Sequence, residues 1–285
     1  MLRIAVFFLL GLCSLPTALG HSPCKSHKAQ SSSAVRCLVH GRTPDIHNTT
    51  TGKPPHDVTD PPVKFGMVLF RAFEPLDVFG PIQALFMLSR IRRLELSLIA
   101  ETLDVVTTQP VVAAMNPMNS NVFPMLPPSH TLETAPTDLD VLIIPGGLGT
   151  RSPLINATIE YITQTYPKVQ YLITVCTGSA LAARAGVLDG RQATTNKASW
   201  SSTVLYGPKT KWIPHARWVV DGNIWTSSGI SAGIDATLAF IEHAYGRANA
   251  TYVANMMEYE RHEDPAWDPF ADIFQPNMTG VLTRR

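Results

Sequence analysis

The chain has 285 residues, 45% of them hydrophobic and 16% charged, with a formal net charge of +1. This is an ordinary globular composition, with enough chain for one large domain and additional segments. The near-neutral balance lacks the basic bias of a nucleic-acid-binding surface, and no acidic tail is present.

Residues 1–20 read as a secretory signal peptide. Arg3 supplies the positive start, residues 4–12 the apolar run, and Ala18 and Gly20 the small residues at cleavage spacing. That run is shorter than the ~20 residues of a membrane span, and no other long apolar run follows. The mature chain is therefore expected to be secreted and free of the membrane. Cys13 leaves with the signal. Cys24 and Cys37 lie close together in a Ser-, His- and Lys-rich stretch, where export would let them pair as a disulfide. N-x-Ser/Thr sequons at Asn48, Asn156, Asn249 and Asn277 are candidate glycosylation sites. Residues 21–62 hold too few apolar side chains to offset their ordering entropy and are expected to form a flexible arm.

Residues 63–262 read as one globular domain. Its first strand covers 63–70. A helix over 75–89 follows, with apolar residues at Leu76, Phe79, Ile82, Leu85, Phe86 and Leu88. A strand over 94–100 and one or two short strands within 105–115 come next. The apolar strand 139–145 runs into Gly146-Gly147-Leu148-Gly149, and a helix over 153–166 leads to the strand 169–175. Cys176, Thr177 and Gly178 then separate that strand from an Ala- and Leu-rich helix over 179–185. Beyond it lie a short strand at 192–195, a hairpin joining 217–220 to 223–226, a helix over 231–245 and a last one over 250–259. The Pro- and Asp-rich residues 263–285 are expected to be a loosely attached tail.

Strands alternate with helices, and the central strands are apolar throughout. That predicts an α/β fold with a mostly parallel sheet covered on both faces. Ligands in such folds bind outside the carboxyl ends of the strands. Three segments should meet there: the loop after the first strand with Glu74 and Asp77, the Gly146–Gly149 loop, and Cys176.

A strand that turns at once into a helix projects its corner residue from the sheet edge, which is the layout of a nucleophile elbow with cysteine as nucleophile. The competing reading is a buried structural cysteine. Asp77 or Glu74 would be the acid or base, since a desolvated carboxyl holds a proton at neutral pH. Gly146 and Gly147 would offer backbone N–H groups to an anion developing on the substrate, or simply form a tight turn. His215, His243 and His262 lack metal-ligand spacing, so no metal site is expected.

Several motifs occur in one order: Leu76-Asp77-Val78-Phe79-Gly80-Pro81, Ile144-Pro145-Gly146-Gly147-Leu148-Gly149, Val175-Cys176-Thr177-Gly178-Ser179, the run 185–195, and Gly229-Ile230-Ser231-Ala232-Gly233-Ile234-Asp235. In these the chain resembles the ThiJ/PfpI superfamily of class I glutamine amidotransferase-like proteins, in its isonitrile hydratase branch. The resemblance implies a flavodoxin-like three-layer sandwich, a homodimer, a small-molecule substrate and no metal or organic cofactor. It implies Cys176 as nucleophile and favours Asp77 over Glu74 as the acid. It brings the backbone of Gly147 and Thr177 to the substrate, with the Thr177 hydroxyl as a helper. Asn196 stands where many relatives carry histidine, and it cannot carry a proton at neutral pH. The expected activity is a cysteine-dependent hydratase or lyase converting an isonitrile to an N-substituted formamide. The alternatives are an enzyme for another small electrophile, such as a 2-oxoaldehyde, and a secreted redox-responsive or ligand-binding protein without catalysis.

Overall fold

The computed structural model describes residues 60–276. The signal-like segment, Cys24, Cys37, Asn48 and Asn277 lie outside these residues.

Short apolar runs between polar turns become the strands β1 (Lys64–Val68), β2 (Glu95–Ala100), β3 (Val106–Thr107), β4 (Met125–Leu126), β5 (His130–Thr131), β6 (Val141–Ile144), β7 (Tyr171–Thr174), β8 (Gln192–Ala193), β9 (Lys211–Trp212), β10 (Trp218–Asp221) and β11 (Ile224–Ser227). The helices are α1 (Pro75–Leu88), α2 (Asn156–Thr165), α3 (Gly178–Arg184), α4 (Trp200–Thr203), α5 (Ala232–Tyr245), α6 (Arg247–Met256) and α7 (Pro269–Phe274).

The main sheet has the order β10-β11-β7-β6-β1-β2-β5. All its pairings are parallel except β10 with β11. Its centre is apolar on both faces: Ile143 of β6 lies between Met67 of β1 and Ile173 of β7, and all three are buried. This is the pattern expected of a parallel sheet covered by helices on both sides.

From β1 the chain crosses through α1 to β2, and from β6 it crosses through α2 to β7 in the opposite direction. Right-handed crossovers running opposite ways put their helices on opposite faces. On one side α1, α5 and α6 share a second apolar cluster of Ala84, Leu88, Leu238, Ile241 and Val253. The reversal between β1 and β6 opens a crevice at the carboxyl end of the sheet, where the loops after β1, β6 and β7 meet.

Some boundaries differ from the sequence reading. Residues 148–151 wind into a 3-10 turn, so α2 starts at Asn156. Asp221 pairs with Ile224, so the hairpin turns on Gly222 and Asn223. Residues 263–276, expected to be part of a loose tail, are held as a docked segment. The Arg217 N–H donates to the Pro265 carbonyl (2.7 Å). The Trp267 ring stacks on His262 at 4.1 Å, and Asp268 is 2% exposed. Of the remaining sequons, Asn156 is exposed at the start of α2 and Asn249 is half-buried in α6. Among the described residues no helix is long and apolar enough to cross a membrane.

Candidate active site

Cys176 sits at the corner between β7 and α3 with φ +56°. A non-glycine residue in that region costs roughly 1–2 kcal/mol, so the surroundings must enforce it. They do so through the backbone on both sides. The Cys176 N–H donates to the Ser228 carbonyl (3.2 Å). The Cys176 carbonyl accepts from the Thr195 hydroxyl (3.0 Å) and the Ser179 hydroxyl (3.2 Å). Just before it, the Val175 N–H donates to the Ile144 carbonyl (2.9 Å), which ties the corner to β6. The cysteine is 5% exposed.

Asp77 enters from the first turn of α1, which Pro75 opens with its fixed φ. The carboxyl is fully buried. Its Oδ2 accepts the Gly146 N–H (2.8 Å), and Oδ1 takes no backbone or hydroxyl donor. The carboxyl contacts the thiol of Cys176. Burial pushes Asp77 up to about 7, half-buried Glu74 adds to the rise through its charge, and the Gly146 N–H opposes it. Burial also pushes the Cys176 thiol up to about 12, with the charge of Asp77 adding to it. At neutral pH the pair therefore holds its last proton firmly, and Asp77 is the member that gains or loses one readily.

Three groups favour negative charge on the sulfur: the backbone N–H groups of Ile230 and Thr177, and the side chain of Asn196. The amide of Asn196 is oriented by the backbone, because its Oδ1 accepts the Ser199 N–H (2.9 Å). That leaves Nδ2 to face the sulfur. Asn196 thus acts as a neutral donor, a role its inability to titrate does not impair.

The expected donors Gly146 and Gly147 are used differently. The Gly146 N–H is engaged by Asp77, and the Gly147 N–H donates to Thr177 Oγ1 (2.9 Å). Both N–H groups are therefore turned inward to build the site and are not free for a substrate anion. A Cβ on Gly146 would lie 2.6 Å from the Thr177 nitrogen and 2.8 Å from Asp77 Oδ2. Gly147 has φ +125°, and a Cβ there would meet the Ala72 carbonyl at 2.4 Å. These glycines are needed because the loops after β1, β6 and β7 pack backbone against backbone. The Thr177 hydroxyl is likewise held in this network, with Thr150 Oγ1 at 3.4 Å. The contribution of Thr177 to the sulfur comes from its main chain.

Ile230 is a site residue that sequence reasoning missed. It has φ +39°, a conformation without a signature in Gly-Ile-Ser. A second missed residue is Lys197, whose side chain is 1% exposed and whose Nζ lies 3.0 Å from Oδ2 of the equally buried Asp268. The contact is an ion pair without an aligned hydrogen bond. The same Nζ shares its three N–H groups among Thr194 Oγ1, the Thr195 and Ala216 carbonyls, and Ser228 Oγ, at 2.8–3.1 Å. Thr195 and Ser228 are the residues that pin the backbone of Cys176, so Lys197 sits behind the elbow and joins its supports. Among the described residues no cluster of His, Cys, Asp and Glu could hold a metal ion.

A strained cysteine corner with a buried carboxyl against its thiol, at the switch point of a parallel sheet, has the layout of a nucleophile elbow on an α/β fold. Comparison with known proteins identifies the family. Residues 64–243 match the DJ-1/PfpI family. An isonitrile hydratase of Pseudomonas putida is 33% identical over 200 residues, covering 69% of this chain and 78% of that protein. The HTH-type transcriptional regulator GbdR of Pseudomonas aeruginosa is 28% identical over 134 residues, 47% of this chain and 36% of the regulator. Among solved structures, a ThiJ/PfpI family protein from Pseudomonas syringae superposes with a TM-score of 0.59 at 24% identity, covering 76% of this chain and 84% of that one. The chain belongs to the DJ-1/PfpI family.

Proposed function

We propose that the protein is a cysteine-dependent hydratase that converts an isonitrile to an N-substituted formamide. The observation that carries this reading is the buried Asp77 carboxyl against the Cys176 thiol, with a proton affinity suited to shuttling at neutral pH. The similarity to an isonitrile hydratase supports the choice of electrophile.

The isonitrile carbon is electrophilic and must gain both a nucleophile and a proton. In the first step ionised Asp77 takes the thiol proton as Cys176 Sγ bonds to that carbon. The Ile230 and Thr177 N–H groups and the Asn196 amide stabilise the charge on sulfur as it forms. Asp77 then delivers the proton to the carbon, giving a thioimidate, Cys–S–CH=N–R. In the second step a water adds to the thioimidate carbon, and Asp77 takes one of its protons and passes it to the imine nitrogen. The C–S bond then breaks as the added hydroxyl gives up its proton, through Asp77, to the sulfur, and R–NH–CHO departs. The sum is addition of one water, so no external oxidant or reductant enters.

The test is incubation of the protein and its Cys176→Ala and Asp77→Asn variants with alkyl and aryl isonitriles, with formamide followed by chromatography. Formamide from the unaltered protein alone is expected. Equal turnover by Cys176→Ala would end the proposal.

A further inference from the structure

A cleft of about 300 Å3 is lined by Asn196 and Ile230, two of the residues that face Sγ, so it lies one residue's thickness from Cys176. Its other wall comes from α7, which contributes Phe270 and Phe274. These rings are 45% and 50% exposed, so they leave apolar surface open to a ligand in the cleft.

The helix that carries them is firmly anchored. Asp268 forms the buried ion pair with Lys197 and also caps α7 by accepting the Phe270 N–H (3.1 Å). The His262 N–H donates to Asp235 Oδ1 (2.9 Å), and the Arg217 guanidinium lies 5.3 Å from the Trp267 ring centre. Asp235 itself is buried in an ion pair with Arg217 (2.6 Å). So α7 presents its rings to the cleft from a fixed base. This segment lies beyond the family match, which ends at residue 243.

We propose that residues 265–274 are a specificity element, in which Phe270 and Phe274 form the apolar wall that receives the substituent of the electrophile attacked by Cys176. The substituent is a branched alkyl group or a single apolar ring, since the cleft is at the small end of the roughly 300–1,000 Å3 range of ligand sites. The inference rests on Cys176 as nucleophile, which the proposed function shares, and does not need the electrophile to be an isonitrile.

The experiment uses the full chain, Phe270→Ala/Phe274→Ala, and Phe270→Leu/Phe274→Leu. N-methylmaleimide and N-cyclohexylmaleimide carry the same reactive head. In each the Cys176 sulfur bonds to one alkene carbon and the other alkene carbon takes the proton. Rates of modification of the Cys176 peptide are read by mass spectrometry and normalised to a free thiol. The unaltered protein is expected to favour the cyclohexyl reagent by about tenfold or more. The double alanine variant should lose that preference while keeping its rate with the methyl reagent, and the double leucine variant should retain part of it. No preference in the unaltered protein overturns the proposal, as does the same preference in the alanine variant. An equal fall in both rates, which reads as lost structure rather than a lost wall, overturns it too. The same comparison with methyl and cyclohexyl isonitriles separates the two readings. Lost labelling selectivity without formamide from any isonitrile leaves the wall standing and removes the hydratase. Turnover whose methyl-to-cyclohexyl ratio ignores both phenylalanines does the reverse.

Discussion

Replacing Asp268 with alanine strips a buried ammonium of its countercharge. Both side chains of the Lys197–Asp268 pair are 1% exposed, and removing one partner of such a pair costs about 3–5 kcal/mol. Loss of the cap on α7 adds roughly 1 kcal/mol. Two features limit the damage. Lys197 keeps its bonds to Thr194, Thr195, Ala216 and Ser228, and burial already lowers its hold on the proton. Releasing that proton costs about 1.4 kcal/mol for each pH unit below the pKa, so neutralisation sets a ceiling on the penalty. The expected loss at neutral pH is about 3 kcal/mol. The folded variant binds the Lys197 proton less tightly than the unfolded chain does, so its stability rises as pH climbs toward the ordinary lysine value. Urea unfolding followed by tryptophan fluorescence at neutral pH and at about pH 9.5 measures both effects. Lys197→Met/Asp268→Ala should recover most of the loss. A deficit below about 1 kcal/mol at neutral pH, or one that grows on going to alkaline pH, would refute the account of Lys197 as a charge that needs its partner.

Other outcomes follow from the thiol–carboxyl pair and its supports. Since Asp77 must be ionised to take the thiol proton, and its affinity is raised to about 7, the rate of Cys176 alkylation should level off above that pH. Below it the rate should fall about tenfold for each further pH unit; a flat profile from about pH 5 to about pH 8 would sink the shuttle. Folded Asp77 binds its proton more tightly than the unfolded side chain. Its contribution to stability is thus complete below about pH 4 and lost as pH rises through about 7, where the ionised form is disfavoured by on the order of 4 kcal/mol. Asp77→Asn should therefore raise the urea midpoint above neutral pH, with the advantage vanishing near the acid end, even as it lowers activity by a factor of about 100 or more. Gly146→Ala forces a methyl group against the Thr177 nitrogen and Asp77 Oδ2. It should cost roughly 1–3 kcal/mol and most of the activity, read by thermal melting and formamide production. Glycine suits φ +56° better than alanine does, so Cys176→Gly should melt higher than Cys176→Ala, by about 1 kcal/mol in stability.

The parts of this architecture that were legible in the sequence are those with local signals. The runs Val141–Ile144 and Tyr171–Thr174 are apolar on both faces, which marks central parallel strands. The switch from β-branched residues to Ala and Leu around Cys176 marks the elbow. Asp77 two residues after Pro75 reads as the start of a helix pointing at the same edge. What escaped depends on contacts between distant residues. The N–H groups of Gly146 and Gly147 are engaged by Asp77 and Thr177 only once three loops close together. Ile230 takes its backbone conformation from packing, not from its own preference. The segment after residue 262 looks loose because its composition is polar and Pro-rich. Its local clue was Asp268 before Pro269, a cap followed by proline at the first helical position. Nothing local, however, announces that Asp268 answers a lysine far back in the chain.

That separation bears on the order of assembly. Synthesis proceeds from the amino terminus, so the parallel core, the elbow and Lys197 leave the ribosome well before Asp268 does. Until that aspartate arrives, the nascent domain must either keep an amine neutral or leave the supports of the cysteine corner open to water. The ion pair behind the cysteine corner is then among the last contacts the domain can form.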